Sequence, residues 1–197
     1  MSGPSIAIVL FPGVEELDWV GPWEVLASWA RVWPDDDVSV FTVADADGVI
    51  RCANGARVLP DHTWETAPAF DVLMWPGGPG VSVQLGQDAV RAHLREAREA
   101  NVLLTSVCTG ALVLADAGVL DGLPATTYWA SLEQLTSLGT GIEARFDDRF
   151  VDAGSVVTAA GVSAGIDMAL HLVRRLHSAE RAREVRRHIQ YDPEPPV

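Results

Sequence analysis

The chain has 197 residues, 48% of them hydrophobic and 21% charged, with a formal net charge of −13 at pH 7. That length suits one domain, residues 1–197, with a substantial core, and the composition excludes disordered and collagen-like classes. Such acidity argues against a nucleic-acid partner, whose phosphates would be repelled over most of the surface.

Residues 5–11 (SIAIVLF) read as a first buried strand, too short to cross a membrane and without the basic region of a secretory signal ahead of it. A helical pattern covers residues 16–33, with Gly21-Pro22 set to break or kink it. Residues 38–44 read as a second strand and 45–48 as a turn, and Asn54-Gly55 centres a β-hairpin over residues 50–59. A third strand, residues 70–75, runs into Pro76-Gly-Gly-Pro-Gly80. Residues 88–100 form an amphipathic helix with Val90, Leu94 and Ala97 inward. A strand over residues 102–107 meets Cys108, and a helix over residues 110–117 stops at Gly118. Then follow a short strand (residues 125–128), a helix capped by Ser131 (residues 131–138) and an antiparallel pair turning at Gly154. Two helices close the pattern, one from Ser163 to about His177 and one ending near Gln190. Strands alternating with helices imply an α/β fold with a mostly parallel sheet covered on both faces.

All 14 basic residues are arginine, and six lie between Arg174 and Arg187, with Glu180 and Glu184 interleaved at helical spacing. That pattern reads as a solvated, ion-paired terminal helix. The two cysteines, Cys52 and Cys108, form neither a disulfide framework nor metal-ligand spacing. A cytoplasmic protein with free thiols, no metal, no cofactor and no membrane partner is the expectation.

Cys108 sits on a sharp strand-to-helix corner, at the sheet edge where open α/β folds bind ligands. Unpaired amides at the helix start favour negative charge, so the thiol there is expected to ionise more easily than its ~8.5 reference value. Five residues, Ser106 to Gly110, leave open the other reading, a buried cysteine acting as a small hydrophobe. Two further loops favour chemistry. Phe11-Pro-Gly-Val-Glu-Glu-Leu-Asp18 follows the first strand, and the Gly77-Gly78 loop offers bare backbone amides at the same edge.

These segments together resemble the ThiJ/PfpI superfamily, relatives of the class I glutamine amidotransferases with a flavodoxin-like three-layer sandwich and a nucleophile elbow. The resemblance spans Gly13-Val-Glu-Glu-Leu-Asp18, Pro60-Asp61, Pro76-Gly-Gly78, Cys108-Thr-Gly110, Gly161-Val-Ser-Ala-Gly-Ile-Asp-Met-Ala-Leu170 and Gln190-Tyr-Asp-Pro-Glu-Pro195. Cys-Thr-Gly at the elbow, with an aspartate on the first loop, is similar to the isonitrile hydratase branch. That resemblance implies a lyase without metal or cofactor, a homodimer, and water addition to a small isonitrile substrate through a Cys108 thioimidate. It further implies that Asp18 is a protonated acid beside the sulfur, with Thr109, Gly77, Gly78 and Gly110 positioning water or stabilising the adduct.

From the residues alone, Asp18 does not stand apart from Glu15 and Glu16, and Thr109 reads equally as a helix cap. Where many relatives have Thr-Thr-His-Trp, this chain reads Thr126-Thr127-Tyr128-Trp129, and tyrosine is no base at neutral pH. His62 (in a loop), His93, His171, His177 and His188 all read as structural or solvated. Trp19 and Trp23 fit either a pocket wall or core packing; Asp167 reads as a satisfied carboxylate and Cys52 as a bystander. The competing function is a redox-sensitive Cys108 read out by oxidation. Superfamily regulators that carry a C-terminal DNA-binding helix-turn-helix are a poor match, since no such pattern precedes Val197 and the charge is wrong for DNA.

Overall fold

The computed structural model describes residues 3–192; the Pro193-Glu-Pro195 part of the closing motif lies outside them. In chain order the elements are β1 (Ser5–Val9), α1 (Glu16–Val32), β2 (Ser39–Ala44), β3 (Ile50–Arg51), β4 (Arg57–Val58), β5 (His62–Thr63), β6 (Val72–Trp75), α2 (Val81–Gln84), α3 (Asp88–Glu99), β7 (Leu103–Val107), α4 (Gly110–Asp116), β8 (Pro124–Ala125), α5 (Leu132–Leu138), β9 (Glu143–Ala144), β10 (Phe150–Asp152), β11 (Val156–Ala159), α6 (Ala164–Leu176) and α7 (Ala179–His188). The main sheet has seven strands in the order β10-β11-β7-β6-β1-β2-β5, all parallel except β10.

Side chains alternate across that sheet and build two cores. Ile6 and Ile8 of β1 join Met74, Val107 and the apolar faces of α1, α6 and α7. Their neighbours Ala7 and Val9 join Leu73, Trp75 and Leu104 beneath α3, α4 and α5. Period-two alternation thus gives helix–sheet–helix layering from a single run of apolar residues. Trp29, fully buried in the first core, contributes about 3 kcal/mol by leaving water. Among the described residues no helix is long and apolar enough to cross a membrane.

The elements agree with the sequence reading at β1, β2, the β3–β4 hairpin, β6, α3, β7, α4, the β10–β11 pair and both last helices, with ends trimmed by a residue or two. Four points need correction. Of the break or kink expected at Gly21-Pro22, the break is absent, because α1 runs through it. Proline gives up one backbone bond there, but its ring packs where α6 is bare: a Cβ on Gly165 would meet the Pro22 ring at 3.1 Å. Ser131 makes no side-chain cap, because it ends a 3-10 turn and the helix begins at Leu132. The strand read over residues 125–128 is confined to Pro124–Ala125, which pairs with β9 instead of the main sheet. His62 is in β5 instead of a loop, edge-on to Phe41 at 5.2 Å. Short elements such as β5, β9 and α2 carry too few residues for periodicity to mark them.

Candidate active site

The carboxyl ends of β1, β6 and β7, adjacent in the sheet, carry the three loops singled out in the sequence. Cys108 leaves β7 with φ +56°, a conformation a non-glycine residue adopts only when its surroundings hold it. They do. Its N–H is shared between the carbonyls of Ala159 (3.2 Å) and Ala160 (3.1 Å). Its carbonyl accepts from the Thr127 hydroxyl at 2.6 Å. The elbow is therefore fixed by the β11 end and the β8 loop.

Asp18 occupies the first turn of α1 and is 0% exposed. Its Oδ2 accepts the Gly77 N–H at 2.9 Å, while the Gly77 carbonyl accepts the Glu15 N–H at 2.9 Å. The β6 loop thus grips the start of α1 at two points. Oδ1 is buried without a hydrogen-bond partner of good geometry. The Cys108 thiol lies near enough to this carboxyl for each group to shift the ionisation of the other.

Both acids are pushed up. Burial raises Asp18 to about 7, and the Glu15 charge adds to that, against the lowering pull of the Gly77 N–H and the thiol. Cys108, 7% exposed, is raised to about 12, first by burial and then by the negative charge of Asp18. The Val162 and Thr109 amides point at the sulfur and lower it, but they do not prevail. This overturns the expectation of an easily ionised thiol. The helix behind it is only seven residues long, and in a site this dry the cost of a second negative charge exceeds the attraction of two amides. The resting pair is a neutral thiol beside a carboxyl that gives up its proton far less readily than a free aspartic acid.

The glycines act mainly by making room. A Cβ on Gly77 would stand 2.6 Å from Thr109 N and Oγ1 and 2.8 Å from Asp18 Oδ2. One on Gly78, whose φ is +123°, would stand 2.4 Å from the Glu15 N. One on Gly110 would strike the Trp75 carbonyl at 2.1 Å. The Gly77 amide is taken by Asp18 and the Gly78 amide by the Thr109 hydroxyl at 3.0 Å, so neither is a vacant donor. Thr109 stands at the N-cap of α4 without a side-chain capping bond, because its hydroxyl ties the β6 loop instead.

Sequence reasoning missed Val162. Its φ of +44° is unusual for a β-branched residue, and its N–H faces the sulfur. Nothing in the residue type signals this. Tyr128 lies half-buried against Gly161, where a Cβ would meet its ring at 2.7 Å. Trp19 and Trp23 pack against the cores, and the Trp19 indole faces the Cys52 thiol instead of the elbow.

The five histidines are engaged elsewhere. His62 packs on Phe41, His93 stacks on Trp64 at 4.2 Å, and His188 is edge-on to Trp33 at 6.1 Å. His171 pairs with Asp152 at 2.7 Å and His177 with Asp36 at 3.3 Å. Asp167 accepts from Arg149 at 2.6 Å and from the Tyr191 hydroxyl at 2.9 Å, a satisfied carboxylate. Among the described residues no cluster of histidine, cysteine and carboxylate groups could hold a metal ion.

Comparison with known proteins adds a lineage to this geometry. The chain is 37% identical over 192 residues to the isonitrile hydratase of Pseudomonas putida, covering 98% of this chain and 80% of that protein. It is 27% identical over 186 residues to protein dj-1beta of Drosophila melanogaster, covering 92% of this chain and 94% of that one. A ThiJ/PfpI family protein from Pseudomonas syringae superposes with a TM-score of 0.89 at 29% identity, covering 100% of this chain and 78% of that one. The sheet-and-helix arrangement is accordingly the flavodoxin-like one of these relatives. The profile of the DJ-1/PfpI family matches residues 4–175, and the chain belongs to that family.

Proposed function

We propose that the protein is a cysteine-dependent hydratase that adds water to a small isonitrile, R–N≡C, and releases an N-substituted formamide. One observation carries the reading: a fully buried aspartic acid faces the elbow thiol, and no histidine shares the site. A thiol of high pKa cannot act as a resting thiolate, but a neighbouring carboxylate can take its proton as the sulfur attacks.

The steps balance without an added reactant other than water. The Cys108 sulfur bonds the terminal isonitrile carbon while Asp18 takes the thiol proton and hands it to that same carbon. The result is Cys–S–CH=N–R. Water then adds to the carbon as hydroxyl, and Asp18 takes its proton and passes it to the nitrogen, giving Cys–S–CH(OH)–NH–R. Collapse of this tetrahedral adduct breaks the C–S bond, moves the hydroxyl proton through Asp18 to sulfur and frees R–NH–CHO. In this scheme Gly77 holds Asp18 by Oδ2 so that Oδ1 serves the sulfur. The amides of Thr109 and Val162 steady charge on the sulfur. The Gly110 amide at the head of α4 is a donor for the adduct, and Gly78 fixes Thr109. A homodimer in the cytoplasm, acting on a free small molecule, completes the proposal.

The test is turnover of p-nitrophenyl isocyanide to the formamide by wild type, Cys108→Ala and Asp18→Asn. The proposal requires turnover that is nearly lost in the first variant and mostly lost in the second. No turnover in wild type, together with a peroxide-dependent mass gain on Cys108, would replace it with the redox reading.

A further inference from the structure

The tip of the β3–β4 hairpin does more than turn the chain. Asn54 gathers two adjacent carboxylates: its Nδ2 donates to Glu15 Oε1 at 2.8 Å and to Glu16 Oε2 at 2.9 Å. Its backbone N–H donates to Glu16 at 2.9 Å, and Ala56 N–H adds a bond to Glu16 at 3.1 Å. The backbone is stitched there too, with Gly13 N–H to the Arg51 carbonyl and Ala53 N–H to the Val14 carbonyl, each at 2.9 Å. Neither glutamate belongs to an ion pair among the described residues. For Glu16, burial opposes ionisation, but the bonds from Asn54 and Ala56 prevail and hold its carboxyl below the usual range. Two negative charges are therefore pinned by neutral amides at the entrance of α1, one turn from Asp18.

We infer that Asn54 is a positioning residue for the Asp18–Cys108 pair, pinning the Glu15 carboxylate, without a countercharge within ion-pair distance, at the start of α1 one turn from Asp18. This rests on the proposed use of Asp18 as the proton carrier. The groups facing Asp18 allow the effect to be isolated. The elbow contributes Cys108, the acid's own loop contributes Glu15, and the β6 loop contributes only the Gly77 amide. The hairpin also carries Arg51 and Arg57, neither of them in an ion pair with Glu15 or Glu16, and Cys52, a buried thiol that is neutral in this range. Helix α6 presents Gly165 and Ile166 to α1, and its Asp167 is neutralised by Arg149. Of these, Glu15 is the charge that a single neutral substitution removes without touching the reacting groups. A fixed charge several ångströms off in a partly solvated setting shifts a carboxyl by about half a pH unit.

The experiment is the rate of Cys108 alkylation by iodoacetamide against pH, followed by peptide mass so that Cys52 is scored separately. It needs no isonitrile. In wild type the rate climbs through a first inflection near Asp18's value of about 7. Glu15→Gln moves that inflection down by about half a unit, so alkylation levels off above it at a rate about threefold lower. Asn54→Ala moves it the same way by less, because Glu15 is then freed into water, and Glu99→Gln on α3 leaves it in place. If Asn54→Ala does not fold, Glu15→Gln decides alone. An unmoved inflection in Glu15→Gln overturns the inference even if the wild type hydrates isonitriles. A moved inflection in a protein that turns over no isonitrile keeps it and removes the proposed reaction instead.

Discussion

Asp18 and Asp36 lie at opposite ends of α1, and the two carboxyls are treated in opposite ways. Asp36, with its side chain 7% exposed, accepts from the Trp29 indole and from Arg181 Nε, each at 2.6 Å, with His177 at 3.3 Å. Burial opposes its ionisation, yet the Arg181 and Trp29 bonds and the nearby positive charges hold its carboxyl below the usual range. Asp18 has one backbone donor, a thiol and a negative neighbour, and is raised to about 7. The first arrangement spends buried polarity on stability, clamping α7 and the turn after α1. The second leaves an acid short of partners beside a strained elbow, which suits proton transfer and costs stability.

The contrast fixes the sign of each pH effect. Asp18, raised in the folded state, adds stability that is full below its unfolded value of ~3.9 and lost as pH rises through about 7. Asp36, lowered in the folded state, adds stability that is present above ~3.9 and lost as pH falls through its folded value.

Substitutions sharpen the comparison, beginning with the sulfur. Cys108→Ala should cut formamide formation roughly a thousandfold while leaving the fold intact, as circular dichroism would show. Asp18→Asn should cost roughly a hundredfold in turnover. It should nevertheless raise stability at pH 8 by about 3 kcal/mol and flatten the loss between pH ~4 and ~7, measured by urea melts. A drop in stability at pH 8 would place Asp18 with Asp36 as a structural acid. Gly77→Ala should lower turnover about tenfold or more, since a new methyl must push apart Asp18 and Thr109. Asp36→Ala should do the reverse of these, costing about 3 kcal/mol of stability, seen as a lower Tm, with turnover per folded molecule unchanged. Thr109→Val, which strips the Gly78 N–H of its acceptor, should cost about 1 kcal/mol.

Much of this is legible in the amino-acid sequence. An apolar run ending at Cys108 and followed by Gly110 declares a strand, a corner and a helix, and the alternation of strands with helices declares the layers. Asp18 was legible only through family resemblance, because in an acidic helix start nothing local tells which of three carboxylates turns inward. The close approaches at the glycines were not legible: Gly110 admits the Trp75 carbonyl and Gly77 admits Thr109 and Asp18, which no glycine announces in a sequence. Val162 and Asn54 were illegible. A positive φ at valine is imposed by its surroundings, and a turn asparagine looks alike whether it holds one chain or two glutamates. The ease of ionisation of Cys108 was misjudged because a helix start is visible in sequence and the dryness of its surroundings is not.

The most direct measurement is the mass of the Cys108 peptide after rapid quenching of the protein with p-nitrophenyl isocyanide. A Cys108 thioimidate gives a gain equal to one substrate molecule, present in wild type and absent in Cys108→Ala. Formamide made at the wild-type rate with that peptide unmodified, or made equally well by Cys108→Ala, would contradict it.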